Sequence, residues 1–169
     1  MIRSVLFFPL LVMISCGGQR ITEDDRIVEP RCDSIFLDTE QGTLNGLTPD
    51  MPQEIIKEQL PCFTGDTPDS SDFNCGGGVF FRDRGFFFYT FLKFIEIRKG
   101  FGGRSTHDLL LGKTPGDVRE LYGRPSEFSP PDFYLYPMGY GCLRINFLSN
   151  TVTKVAVHYV PCEEVETCE

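Results

Sequence analysis

Gly112-Lys113-Thr114-Pro115-Gly116-Asp117-Val118-Arg119-Glu120-Leu121-Tyr122-Gly123-Arg124-Pro125 spells out a short helix from one end to the other. Thr114 can cap the first turn, and Pro115 takes the first helical position, where its missing N–H is not needed. Val118, Leu121 and Tyr122 make an apolar stripe, and Gly123 followed by Pro125 stops the helix. Behind it, Phe133 to Tyr136, Cys142 to Leu148 and Thr153 to Val160 read as strands. Leu143, Ile145 and Phe147 alternate with polar neighbours, as do Val155, Val157 and Tyr159, and Ser149-Asn150 supplies the turn between those two strands. A helix that feeds antiparallel strands sets the pattern for the rest of the chain.

Upstream, Phe86 to Arg98 (FFFYTFLKFIEIR) is the strongest strand signal, rich in aromatic and β-branched residues. Read as one strand, it puts Phe91, Lys93, Ile95 and Ile97 on one face and Phe86, Phe88, Leu92, Phe94, Glu96 and Arg98 on the other. Asp83-Arg84-Gly85 turns the chain into it from Val79 to Arg82. Gly76-Gly77-Gly78 is not a phosphate loop, since neither Lys-Ser/Thr nor a helix follows, and it reads as a flexible approach to the hairpin. A first helix spans Gln53 to Gln59, with Pro52 in its first turn, Ile55, Ile56 and Leu60 as its stripe, and Pro61 as its stop. Ser34 to Asp38 is a short strand. The two helices align, Ile56-Lys57-Glu58 with Leu60-Pro61 on Val118-Arg119-Glu120 with Tyr122-Gly123. The expected fold class is therefore α+β: an antiparallel sheet with short helices packed on one face, built as a duplicated helix-strands unit. The units cover about 34–101 and 102–160 and are followed by a Cys-bearing tail.

At 169 residues the chain has room for one core. Its formal charge of -8 repels phosphate, which disfavours nucleic acid, and it opposes lying flat on anionic lipid. Seven cysteines are present. With Cys16 set aside, Cys32, Cys62, Cys75, Cys142, Cys162 and Cys168 form an even set, which points to disulfides in an oxidising compartment. No C-x-x-C pair occurs, and His107 and His158 are wrongly spaced for a zinc site, so no metal is expected. Cys62 and Cys75 are the expected pair, closing a short loop worth about 3 kcal/mol by loop-closure entropy. Cys32, Cys142, Cys162 and Cys168 leave three pairings open, among them a bond from Cys32 to the C-terminal tail. Inside the Cys62 to Cys75 loop, Asp66, Asp69, Asp72 and Asn74 lack the order of oxygen ligands that wraps a calcium ion, and they read as a solvated surface.

The N-terminus carries an address. Arg3 precedes the apolar run Val5 to Ile14, which is too short for the ~20 residues of a bilayer span and ends in Met13-Ile14-Ser15-Cys16. This resembles the lipobox of bacterial lipoproteins, although Met13 stands where Leu is usual. The resemblance implies cleavage before Cys16, a diacylglycerol on its thiol and acylation of the new N-terminus. Gly17, in place of Asp, implies the outer membrane. Residues 1–15 are then the signal peptide, residues 16–31 a flexible tether in which Glu23, Asp24 and Asp25 form a solvated patch, and 32–169 the domain.

The helix from Gly112 to Pro125 is similar to the G-x-T-x-x-x-V-x-x-L-φ-G-x-P helix of small outer-membrane lipoproteins of the SmpA/OmlA type. It also resembles the tandem repeats of β-lactamase inhibitor proteins. Both resemblances imply short helices on one face of an antiparallel sheet and a protein-protein interaction role, with no catalytic residue and no cofactor.

The residues themselves offer no catalytic constellation. Ser105, His107 and Asp108 lie too close in sequence to converge as a triad, and His158 is expected on the solvent side of its strand. The expected role is an interaction module that meets an unknown envelope protein through some of Phe86, Phe88, Tyr89, Phe91, Tyr134, Tyr136 and Tyr140. The alternative is an envelope carrier that holds a lipid or other small ligand in an apolar cleft.

Overall fold

The structure is a computed structural model, and it describes residues 32–72, 74–107, 110–127 and 129–165. The leader, Cys16, the tether, Asp108 and Cys168 lie outside the described residues. Within them the protein is an α+β fold of ten strands and two short helices. Strands β1 (Phe36–Asp38) and β2 (Thr43–Leu44) open the chain, followed by helix α1 (Gln53–Gln59). Then come β3 (Gly65–Thr67), β4 (Gly78–Phe81), β5 (Phe86–Tyr89), β6 (Phe94–Arg98) and β7 (Arg104–Ser105). Helix α2 (Pro115–Tyr122) precedes β8 (Phe133–Met138), β9 (Gly141–Leu148) and β10 (Thr151–His158).

The main sheet has seven strands in the order β3-β4-β5-β6-β10-β9-β8, every neighbouring pair antiparallel. Helix α1 is followed by a four-stranded meander, β3 to β6, and α2 by a three-stranded one, β8 to β10, and the two meanders meet where β6 pairs with β10. A smaller sheet, β2-β1-β7, contains the one parallel pair among the described strands, β1 with β7. Strand β1 falls within the expected Ser34 to Asp38 strand, whereas the two-residue β2 and β7 carry no local signal.

Helix α2 follows its sequence closely. The Thr114 side chain accepts from the Asp117 amide while the Asp117 carboxylate accepts from the Thr114 amide, a capping box with Pro115 in the first turn. Val118 is fully buried, whereas Leu121 is 40 % exposed. In α1, Ile56 and Leu60 are buried but Ile55 points outward, and Pro52 is the N-cap residue rather than part of the first turn. Ser149 and Asn150 both take left-handed φ, as a tight β9–β10 hairpin turn requires.

The stretch from Phe86 to Arg98 is two strands, not one. The chain turns at residues 90–93 and folds β5 back on β6, with Phe88 opposite Ile95 and Phe86 opposite Ile97. The expected faces are therefore reassigned: Phe86, Phe88, Ile95 and Ile97 share the core face. No Gly, Pro or Asn marks this turn. Tertiary bonds fix it instead: buried Thr90 donates through Oγ1 to Asp69 at 2.5 Å and accepts from Gln53 Nε2 at 3.0 Å. Phe91 at its tip seats its ring against Gly76, where a Cβ would come within 2.1 Å of it. Gly76 also has φ +73°, so both the space and the backbone demand glycine.

The core lies between this sheet face and the helices. Val79, Phe81, Phe86, Phe88, Ile95, Ile97, Val155, Val157, Leu143 and Ile145 come from the sheet, with Ile56 and Val118 from the helices and Leu37, Leu44 and Leu47 from the N-terminal segment. Phe81 and Phe86 stack at 4.2 Å, with Phe88 edge-on to both.

Cys62 bonds to Cys32, not to Cys75. Strands β3 and β4 form a hairpin in which Gly65 pairs with Phe80 and Thr67 with Gly78. Cys62 precedes its open end and Cys75 lies in its turn, so closeness in sequence becomes separation in space. Arg84 Nη1 donates to the Cys32 carbonyl at 3.0 Å, which places Cys32 at the open end too. Cys142 bonds to Cys162, so Cys32 does not reach the tail. Cys75 is also disulfide-bonded.

Candidate functional site: the second face of the sheet

In each strand of the main sheet the residues that do not enter the core point to the opposite face. Their registers align them in transverse rows. Phe80, Phe87, Glu96, Ala156, Arg144 and Leu135 form one row across six strands. Tyr89, Phe94, His158, Cys142 and Pro137 form a second, and Arg98, Lys154, Asn146 and Phe133 a third.

The second row is covered. After β10 the chain makes a 3-10 turn at Cys162–Glu164, and Cys162 and Val165 pack on Leu135, Cys142 and Phe133. Along this row the rings of Tyr89, Phe94 and His158 stack successively, at 4.3 Å and 4.7 Å. His158 is thus buried, at 2 % exposure, and not on a solvent side, because this face carries its own aromatic layer and tail. Burial, with Arg144 nearby as a second cause, pushes its imidazole pKa down to about 3. A cleft of about 540 Å³ opens between Phe91, Lys93, Phe94 and His158 on one side and Glu163 to Val165 on the other.

The rest of the face alternates guanidinium and ring. The Arg82 guanidinium lies 5.1 Å from the Phe80 ring centre, Arg98 4.0 Å from Phe87, and Arg144 4.2 Å from Phe133. Gly65 gives Arg82 its room, since a Cβ there would stand 2.8 Å from Nη1. Arg98 also pairs with Glu96 and donates to the Tyr89 hydroxyl at 3.1 Å. Burial is the main cause that raises the Tyr89 pKa, with Glu96 adding to it, so the phenol stays protonated.

The expected partner-binding residues are dispersed. Phe86 and Phe88 are fully buried and Tyr136 nearly so, all in the core, and they have no surface to offer. Tyr134, on the helix side, accepts from Arg119 Nη1 at 2.6 Å. The Tyr136 hydroxyl, its pKa pushed up to about 12 by burial, faces the Gly123 carbonyl at 3.4 Å. Tyr140 donates to the Thr39 carbonyl at 3.1 Å, where burial raises its pKa strongly. Of the seven, only Tyr89 lies on the second face; Phe91, 43 % exposed, sits at its edge.

No protein-family model, curated protein or solved structure matches this chain. The site therefore rests on its own geometry. Arg82, Phe80, Phe87, Arg98, Arg144, Lys154 and Phe133 are the residues that sequence reading missed. Once β5 and β6 are recognised as a hairpin, period-two alternation finds them.

Elsewhere, His107 Nε2 lies 3.2 Å from the Glu40 carboxylate and its ring meets Tyr122 edge-on. Asp69 is engaged by Gln53 and Thr90, and Asp66 by Lys57. No group of three or more metal-ligating side chains occurs among the described residues, and no helix there is long and apolar enough to cross a membrane.

Proposed function

We propose that this chain is an exported lipoprotein, anchored by lipid on Cys16 to the outer membrane of a cell envelope, whose domain serves as a protein-protein interaction module. The observation that carries the reading is the second face of the main sheet. Helices and the small sheet crowd onto the other side, and among the described residues only the Cys162–Val165 segment packs on this one. Its exposed part is made of arginine and aromatic side chains, which contribute most to interface energies. Disulfides among six of the seven cysteines would be consistent with an oxidising compartment, and two pairs are in place.

The test is affinity capture from detergent-solubilised envelope, with Cys16→Ser as the unanchored control, together with intact-mass analysis of the native protein. Added acyl mass on a chain that starts at Cys16, with a specific co-captured protein, is the expected result. A product that starts elsewhere without acyl mass rules out the anchor, and capture of no protein rules out the module. The alternative, a small-ligand carrier, draws on a largely apolar cleft of about 380 Å³ lined by Phe101, Leu111 and Val152 with Lys99 at its rim. A small molecule that co-purifies with the protein in place of a protein partner would favour it.

A further inference from the structure

We infer that Cys75 is bonded to Cys168, which joins the β3–β4 turn covalently to the C-terminal end of the chain and leaves Cys16 as the one cysteine without a disulfide partner. Cys75 is disulfide-bonded. Of the seven cysteines, Cys32 and Cys62 hold each other, as do Cys142 and Cys162, so only Cys16 and Cys168 remain to pair with it. Placement decides between the two.

The β3–β4 turn holds Cys75 in a fixed position: the Gly76 carbonyl accepts from the Ser70 amide at 2.9 Å, and a Cβ on Gly77 would stand 2.2 Å from the Pro68 carbonyl oxygen. Gly76, the next residue, bears the Phe91 ring, and Phe91 lines the same cleft of about 540 Å³ as Val165. Val165 is itself anchored, packed against the buried cluster of Leu135, Cys142 and Cys162. Cys168 follows Val165 by three positions, a reach of about 10 Å, to which a bridge adds about 5–6 Å between its α-carbons. Cys16 comes from the other end of the hairpin. It precedes Cys32 by sixteen positions, and Cys32 sits with Cys62 at the open end, away from the turn. Effective concentration falls roughly as the −3/2 power of linker length, so the three-residue connection outcompetes the sixteen-residue one by on the order of tenfold.

Formation of the bond joins two sulfurs and releases two protons and two electrons; these pass to the donor disulfide of a thiol–disulfide oxidoreductase, which becomes a dithiol. The three bridges then have different reach. Cys32–Cys62 ties the N-terminal segment to the chain just after α1, and Cys142–Cys162 closes the second meander on the turn that follows it. Cys75–Cys168 alone links the first meander to the second across the β6–β10 seam. The sulfur left over, that of Cys16, is the atom a lipid anchor needs, although the pairing itself does not rest on that reading.

The experiment alkylates the full chain, purified in detergent from an oxidising compartment, under denaturing and non-reducing conditions and maps its peptides by mass. Digestion at Asp and Glu as well as at Lys and Arg separates Cys62 from Cys75 at Asp66, Asp69 and Asp72, and Cys162 from Cys168 at Glu163, Glu164 and Glu166. The expected product is a Cys75 peptide joined to the Cys168 peptide, with neither residue alkylated. Cys75→Ser should expose one new alkylatable thiol, at Cys168, whereas Cys16→Ser should leave the linkage intact. Alkylation of Cys75 or Cys168 in the wild type overturns the inference, and so does loss of the linkage in Cys16→Ser. A Cys75–Cys16 peptide overturns it together with the lipid anchor, since a thioether leaves no sulfur for a disulfide. A Cys75–Cys168 peptide from a chain without acyl mass upholds the bridge and rules out the anchor alone.

Discussion

His158 makes the acid side of the stability curve a property of one side chain. Its folded pKa is near 3 against an ordinary 6.5, because burial beside Phe94 and the charge of Arg144 both oppose protonation. Around it stand Arg144, Lys154 and Glu96 in the shared recess, and Lys93, Glu163 and Glu164 along the cleft. Between those two values the unfolded chain binds a proton that the folded one refuses, so stability falls as pH drops from 6.5 toward 3. The slope from this group reaches about 1.4 kcal/mol per pH unit at its steepest. Urea unfolding of wild type and His158→Gln at pH 7 and pH 4.5 measures it: the wild type should lose distinctly more stability than the variant on acidification. Equal losses would show that the imidazole is not held neutral. None of this was legible at His158 itself, whose strand alternation was read with one buried face, whereas the sheet covers this residue on both sides.

At the scale of elements, legibility tracked how local the determinant is. Thr114, Asp117, Pro115 and Gly123 act within one helix, and the capping box and stop they announce are formed. The cap hydrogen bonds hold the Asp117 carboxyl below its usual pKa, the Thr114 amide foremost. Thr114→Ala should lower unfolding stability by about 1 kcal/mol in urea titrations near neutral pH. An unchanged midpoint would mean the box contributes nothing. The β5–β6 turn was illegible for the opposite reason: Thr90 is held by Asp69 and Gln53, partners far away in sequence, and Lys93 takes a left-handed φ without glycine's freedom. That one misread turn reversed the face of the residues from Phe86 to Tyr89 relative to Phe94 onward, which put Phe86 and Phe88 in the core. Of the small sheet, β1 was legible within Ser34 to Asp38, but its pairing with the distant β7, which sets Phe36 opposite Arg104, was hidden for the same reason.

For the molecule as a whole, covalent closure can be checked directly. Non-reducing peptide mapping should recover Cys32 joined to Cys62 and Cys142 joined to Cys162, with no Cys62–Cys75 peptide. Cys142→Ser/Cys162→Ser should destabilise the protein by about 3 kcal/mol, the value for a bridge across a loop of this size. A melting temperature unaffected by both that substitution and reductant would contradict a staple role. The even cysteine count was readable from composition; the pairing was not, since it depends on which end of a hairpin each thiol occupies.

Strand β10, the last of the described strands in chain order, pairs with β6 on one side and β9 on the other in the middle of the main sheet. Until it arrives, the first meander ends in an open row of peptide groups along Phe94–Arg98, flanked by phenylalanines, a surface that invites sticking to other chains. Nascent polypeptides cut short before Thr151 should therefore clump rather than fold by halves, and a holding factor or delayed collapse during synthesis would be needed for good yield.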